Sequence, residues 1–516
     1  MKRKLLLYIA ILLLPVFAIA DGGSGTVRIG YIFTDDEGNA SAMYRAYNEY
    51  EGGALSFENF RLDLNNGVRL TATARNLTLN NRNVSIGLNQ TKRFGVTLNN
   101  SAYRRIYSFE GNNATRRRST GGTFYVIPHA WVRLYGGGQW VTRKGSTVPL
   151  FDVAPFEQHP VKAVDGKNNF YHGGFRVAHR GASLNAEVRT HAYINDLKPA
   201  LDQDRVTYRL DAQLPIPSYE QVIVTGGFRR YTSKFADTTL EFSANTGWFG
   251  ATAALSPKLS VRGTVVLDRA KSDFDLISTD NVTYAGYLTY AEPRRSSFTV
   301  GYQVGSNDDF DNEIRSNTFY FSGWYAASQI ELRGDVGLRA EEVREGSRFI
   351  GDEDRNRYRG KLTWKIPDRG KLQLSLENRT RENLEIQSST DFTRVGLDGN
   401  LELWDDWNVT GSYSHAKGTY ENSEQSFEFT DNVVSGDLTL PEYKRLTLSG
   451  GLVYYRSGKD IEVESVSMRM LADYQIGDLY HLELKYDGHN YDDLKLRDMY
   501  YTANTVELTI AREVSF

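Results

Sequence analysis

The chain closes on Ala503-Asn504-Thr505-Val506-Glu507-Leu508-Thr509-Ile510-Ala511-Arg512-Glu513-Val514-Ser515-Phe516. Val506, Leu508, Ile510, Val514 and Phe516 share one parity, and Glu507, Thr509, Ala511, Glu513 and Ser515 share the other. A period of two puts these sets on opposite sides of an extended strand, one greasy and one polar. Only Arg512 breaks the apolar set, close to the end, where a long side chain can snorkel toward lipid headgroups. One such strand fits the edge of a soluble sandwich as well as a membrane wall. The remaining sequence separates the two.

The same alternation recurs along the chain. Val27, Ile29, Tyr31 and Phe33 form a first strand, a tyrosine-rich connection runs through residue 53, and Phe60, Leu62 and Leu64 follow. Asn66-Gly67 is a hairpin signal, and Val68, Leu70, Ala72 and Ala74 bring the chain back. Later pairs turn at Pro215 and Pro217, Pro257, Pro293, Pro367 and Pro441. Roughly 26 segments of about 9–11 residues emerge, the length a tilted membrane strand needs. From about residue 120 the connections alternate short and long, with 144–168, 307–311, 351–354 and 487–500 among the long polar ones. Pro128 lies inside one segment, so that strand is expected to begin after it or bend there.

The polar parity is equally regular. Ile330, Leu332, Val336 and Leu338 share one face, and Glu331, Arg333, Asp335 and Arg339 the other. Glu187 and Arg189 alternate in the same way, as do Arg209 and Asp211. These eight charged residues are the candidates for an inner, water-facing wall. A sandwich of so many strands would divide into domains, yet no composition break appears. Closing one sheet on itself removes the unpaired edges. The expected fold is all-β: a single large antiparallel transmembrane β-barrel of about 26 strands. An even count would leave both termini in the periplasm. Six glycines (226, 263, 286, 360, 411 and 450) fall in the apolar register and are expected to mark bends.

Composition agrees. Met1-Lys2-Arg3-Lys4, an apolar run to Ala20 and small residues at 18 and 20 read as a secretory signal over 1–20, leaving a barrel over 21–516. No other run approaches the roughly 20 apolar residues of a spanning helix. There is no cysteine, which excludes disulfides, zinc–thiolate sites and covalent haem attachment through C-x-x-C-H. A net charge of −3 argues against a nucleic-acid partner. The 32 tyrosines and 46 glycines, against 12 prolines, suit strands, aromatic girdles and tight turns.

Some 26 strands enclose a cylinder on the order of 50 Å across. Few residues precede the first strand, and the loops look too short to fill such an opening, so a partner inside is expected. The final strand resembles the C-terminal strand of bacterial outer-membrane barrels, which their assembly machinery reads; Val514 and Phe516 are the residues in that register. The opening resembles the MtrB/PioB family of decahaem-associated outer-membrane β-barrel proteins. The similarity rests on Gly30-Tyr31, Asp35-Asp36-Glu37-Gly38-Asn39, Tyr44-Arg45-Ala46-Tyr47 and Phe57-Glu58-Asn59-Phe60-Arg61-Leu62-Asp63-Leu64. That resemblance implies a cell outer-membrane (Gram-negative) barrel that sheathes a periplasmic multihaem c-type cytochrome, with an extracellular one as a further partner. Electrons would cross along the cytochrome's haems. This chain would bind no cofactor itself, and its other partners would be outer-membrane lipid and lipopolysaccharide.

A diffusion porin, general or substrate-specific, is the alternative, with 144–168 and its Pro149, Pro155 and Pro160 as constriction loop. An enzyme finds no support: G-x-S-x-G and H-E-x-x-H are absent. His129, His172, His191, His415 and His481 are scattered singly. The acidic stretch 306–313 lacks the spacing of a calcium loop. Thr115-Arg116-Arg117-Arg118 reads as a charged loop.

Overall fold

The fold is taken from a computed structural model. It describes residues 20–39, 50–106, 114–147, 162–217, 219–236, 240–273, 278–309, 312–345, 352–384, 387–403, 406–496 and 499–515. The first six strands are β1 (Ala20–Gly38), β2 (Gly52–Leu64), β3 (Val68–Arg75), β4 (Asn83–Gln90), β5 (Phe94–Ile106) and β6 (Ala114–His129). Next come β7 (Val132–Thr147), β8 (Lys162–His179), β9 (Ala182–Asn195), β10 (Gln203–Ile216), β11 (Tyr219–Phe235), β12 (Glu241–Ser256) and β13 (Leu259–Ser272). They are followed by β14 (Ser278–Glu292), β15 (Ser296–Asp309), β16 (Asn312–Ala327), β17 (Ile330–Glu345), β18 (Glu353–Ile366) and β19 (Gly370–Asn383). Last are β20 (Ser388–Leu403), β21 (Trp407–Glu421), β22 (Ser426–Thr439), β23 (Leu446–Lys459), β24 (Val463–Ile476), β25 (Tyr480–Asp493) and β26 (Tyr501–Ser515).

Each strand pairs antiparallel with its sequence neighbours, and β26 pairs with β1 from Ser24–Ser515 to Gly38–Tyr501, closing one 26-stranded ring. Both described chain ends lie at one edge of it. Following paired residues once round the ring returns to β1 displaced by roughly as many residues as there are strands. With strand spacing and rise of ordinary size, that shear sets a tilt of about 35° and a backbone cylinder about 48 Å across.

The last strand behaves as its alternation requires. Val506, Leu508 and Ile510 are 36%, 46% and 55% exposed, whereas Thr505, Thr509 and Ala511 are 5% or less. Leucine, valine, isoleucine, phenylalanine and tyrosine lie exposed on the same parity strand after strand, from Ile29 on β1 to Ile476 on β24. Arg512, the exception, lies over the Tyr480 ring with its guanidinium carbon 5.4 Å from the centroid.

The tight turns cluster at the edge that holds the termini. Asn66 and Gly67 both have left-handed backbone (φ 66° and 70°), as the hairpin signal requires. Pro217, Pro257, Pro293, Pro367 and Pro441 all sit in such turns, and Pro215 one residue before the end of β10. Pro128 does not start a strand. It lies next to last in β6, where a register shift between Val126 and His129 ends the ladder.

Three expectations need correction. Most strands have 14–16 residues, not 9–11, because backbone pairing continues past any bilayer-thick belt. Thr115-Arg116-Arg117-Arg118 therefore belongs to β6, residues 144–147 and 162–168 to β7 and β8, 307–309 to β15, 353–354 to β18 and 487–493 to β25. The glycines at 226, 263, 286, 360, 411 and 450 mark no bulge. The ladders run through them without a register shift, with Gly263 opposite Gly286, Gly360 opposite Gly334, and Gly411 between Gly399 and Gly436.

Candidate functional site

The charged face is built from one repeated local device. Residues i and i+2 of a strand point the same way, close enough for an arginine to fold back onto a carboxylate. Glu187–Arg189, Arg209–Asp211, Glu331–Arg333, Arg339–Glu341, Glu353–Arg355 and Glu377–Arg379 all pair in this way. Arg209 grips Asp211 with two nitrogens, at 2.7 and 3.2 Å.

The eight residues singled out from sequence fall into two groups. Glu187 and Arg189 on β9 adjoin Arg209 and Asp211 on β10, with Glu187 directly opposite Arg209. The Tyr135 hydroxyl on β7 lies 3.1 Å from Glu187 and 3.0 Å from Asn185. Tyr135, Glu187 and Arg189 border a recess of about 560 Å³ that Phe170, His172, His191, Arg205 and Tyr231 also line. Phe170 and His191 stack at 4.2 Å. The other four residues, Glu331, Arg333, Asp335 and Arg339, lie together on β17, seven strands further round the ring. Asp335 accepts Arg359 of β18 at 2.8 Å, and Lys365 approaches Glu331 at 3.6 Å.

Three features escaped the sequence reading. On β18 and β19, Glu353 is only 6% exposed and holds both Arg355 and Arg381. Glu377 holds both Arg357 and Arg379, at 3.2 and 2.6 Å. The signal was present as Arg355-x-Arg357-x-Arg359-x-Lys361, an alternation on the parity opposite Tyr358 and Leu362. The third feature spans the closure. Arg28 on β1 pairs with Glu58 on β2 at 3.1 Å and with Glu483 on β25. They border a recess of about 580 Å³ that Arg75, Asp473, Lys485 and Glu507 also line. No local pattern carries a contact between residues so distant in the chain.

Phe516 lies outside the described residues, whereas Val514 sits opposite Gly25 at the closure. The proposed constriction loop falls mostly outside them too, over 148–161. Among the described residues there is no cluster of three or more His, Cys, Asp or Glu placed to hold a metal.

A closed ring without edges, banded by exposed apolar side chains and charged on its other face, defines a class: a large antiparallel outer-membrane β-barrel. The protein belongs to the outer membrane of the Gram-negative envelope. No family model and no curated protein matches the chain. Among solved structures it is similar to the siderophore receptor PirA from Acinetobacter baumannii, at 8% identity and a TM-score of 0.52, over 95% of this chain and 80% of that one. It is similar also to a point mutant of the ferric enterobactin receptor PfeA from Pseudomonas aeruginosa, at 9% identity and a TM-score of 0.51, over 96% and 80%. At such identities the likeness is one of fold.

Proposed function

We propose that the charged face is the inner wall of a sheath around a multihaem c-type cytochrome, and that the pair forms an electron conduit across the outer membrane. The ring's size carries this reading. Twenty-six strands enclose more than the roughly 22 of outer-membrane transporters whose lumen needs a plug. The longest interval between described strands, 148–161, has about 14 residues; fully extended it would cross a 48 Å opening once and leave most of it open. A protein held inside seals the wall and places its own redox groups through the bilayer. The haem belongs to that partner, because this chain has no cysteine to attach one. Arg28 supports the inner placement: its reach across β26 to Glu483 suits a concave face, where side chains converge. In this reading both termini are periplasmic, and Val514 and Phe516 meet the assembly machinery.

Purification in mild detergent tests the proposal. The sheath reading expects a complex with a c-type haem spectrum and a fixed ratio of cytochrome to barrel. A colourless barrel that conducts small solutes in liposomes would instead favour a porin, for which 148–161, the longest interval between strands, is the feature that speaks.

A further inference from the structure

The polar face of β6–β11 opposes cations directly across the ladder. Arg117 faces Arg143, Arg133 faces Arg176, and Arg209 faces Arg229. Like charges directly opposite one another destabilise a strand pair. Elsewhere the chain compensates for the same arrangement. Arg355 lies opposite both Arg339 and Arg381, and the carboxylates of Glu341 and Glu353 neutralise that row.

On β6–β11 the described carboxylates are too few to compensate every arginine. Among the described residues of this face the carboxylates are Glu187 and Asp211, each already taken by the arginine two residues away on its own strand. Arg117 lies instead over the Tyr103 ring, and Arg133 over the Tyr125 ring at 4.3 Å. Arg176 and Arg229 have no carboxylate within ion-pairing distance among the described residues. Across the ring the balance reverses: Asp431, Asp437, Asp473, Glu483, Asp487 and Glu507 share the polar face of β22–β26 with the fewer cations Lys459, Arg469 and Lys485, of which Arg469 holds Asp437 and Lys485 holds Asp487.

We infer that the β6–β11 wall is the docking face for an acidic surface of the protein enclosed by the barrel. The opposite, acidic wall then fixes that partner's rotational orientation. This inference rests on the sheath reading and specifies which side of the partner faces where. Arg176 and Arg229, which have no carboxylate beside them among the described residues, lower the stability of the empty barrel and recover it when carboxylates of the guest lie beside them.

The test uses the full chain in its native membrane. A triple variant, R133Q/R176Q/R229Q, is compared with the unaltered barrel, with assembly of both checked by heat-modifiable gel mobility. The salt concentration that releases half of the co-purifying haem protein should fall about twofold or more in the variant. A photo-crosslinking residue at Gln139 should label partner peptides rich in aspartate and glutamate, and one at Ser435 should label basic ones. If haem protein co-purifies with both barrels and leaves at the same salt, or if the two crosslinkers label peptides of the same charge, the docking face is wrong while the sheath stands. If no haem protein accompanies even the unaltered barrel, the sheath falls and this inference with it.

Discussion

Arg28 on β1 reaches across β26 to Glu483 on β25, although the two residues lie 455 positions apart in the chain. The same guanidinium holds Glu58 on β2 at 3.1 Å, so one side chain ties four consecutive strands across the closure. Closing a 26-stranded sheet is its least local step, and the widest-reaching ion pair among the described residues lies there.

Replacing Arg28 by alanine removes both of its ion pairs; Glu58 keeps Arg75 at 2.8 Å, whereas Glu483 loses its cation. The arginine side chain is about one-third exposed, so the loss should be about 1–2 kcal/mol, less than for a fully buried pair. The urea midpoint of the assembled barrel should fall accordingly. Lysine, a single point charge without the planar fork, should restore only part of it.

Leu374 and Gln373 are adjacent on β19 and face opposite ways. Leu374 is 47% exposed on the apolar face, whereas Gln373 donates to Asp398 at 3.3 Å. Arginine at 374 should cost about 2–4 kcal/mol in a bilayer. Arginine at 373 should be nearly neutral, because Asp398 accepts it. Equilibrium folding into lipid vesicles measures both, and equal costs would mean that the two faces are misassigned.

Gly38 ends β1 with φ +98°, and a β-carbon there would lie 2.4 Å from the Tyr500 carbonyl oxygen. Alanine at 38 should therefore cost about 1–3 kcal/mol through backbone strain and displacement of β26. Alanine at Gly263, where a β-carbon meets nothing within 4 Å, serves as the comparison and should change stability little.

Asp196 lies in the β9–β10 connection, where the hydrogen bond from the Lys167 ammonium holds its carboxyl below the usual value. A lowered carboxyl adds stability above its ordinary pKa and loses it as the pH falls through the lowered one. The group is fully exposed, so the effect is small. A carbon-13 titration of Asp196 should give a midpoint below that of a free aspartate, and Lys167→Met should raise it toward the ordinary range.

Alternation made the architecture legible, because a two-sided wall writes its period into every strand. The alternation of 505–511 was read correctly, and so was the closed ring of about 26 strands. Strand ends were not legible: beyond the bilayer both faces are wet, the greasy parity stops, and backbone pairing continues unmarked through Arg116, Asp308 and Asp492. Nor was pairing between distant strands, which depends on register and closure. Glu187 and Arg189 could be named from sequence, but not the Tyr135 hydroxyl that also reaches Glu187. The Arg355, Arg357 and Arg359 row stands in the sequence as an alternation, but its cross-strand carboxylate partners Glu377 and Asp335 are set by strand register.

The central claim is that the barrel is an insulating sheath. Its most direct test is electron transfer into sealed proteoliposomes loaded with a redox dye too large to cross a porin. With the purified complex in the membrane, a membrane-impermeant reductant added outside should bleach the enclosed dye, while small trapped solutes stay inside. If the dye stays oxidised and the small solutes leak through the protein as purified, the barrel is a pore and the account is wrong.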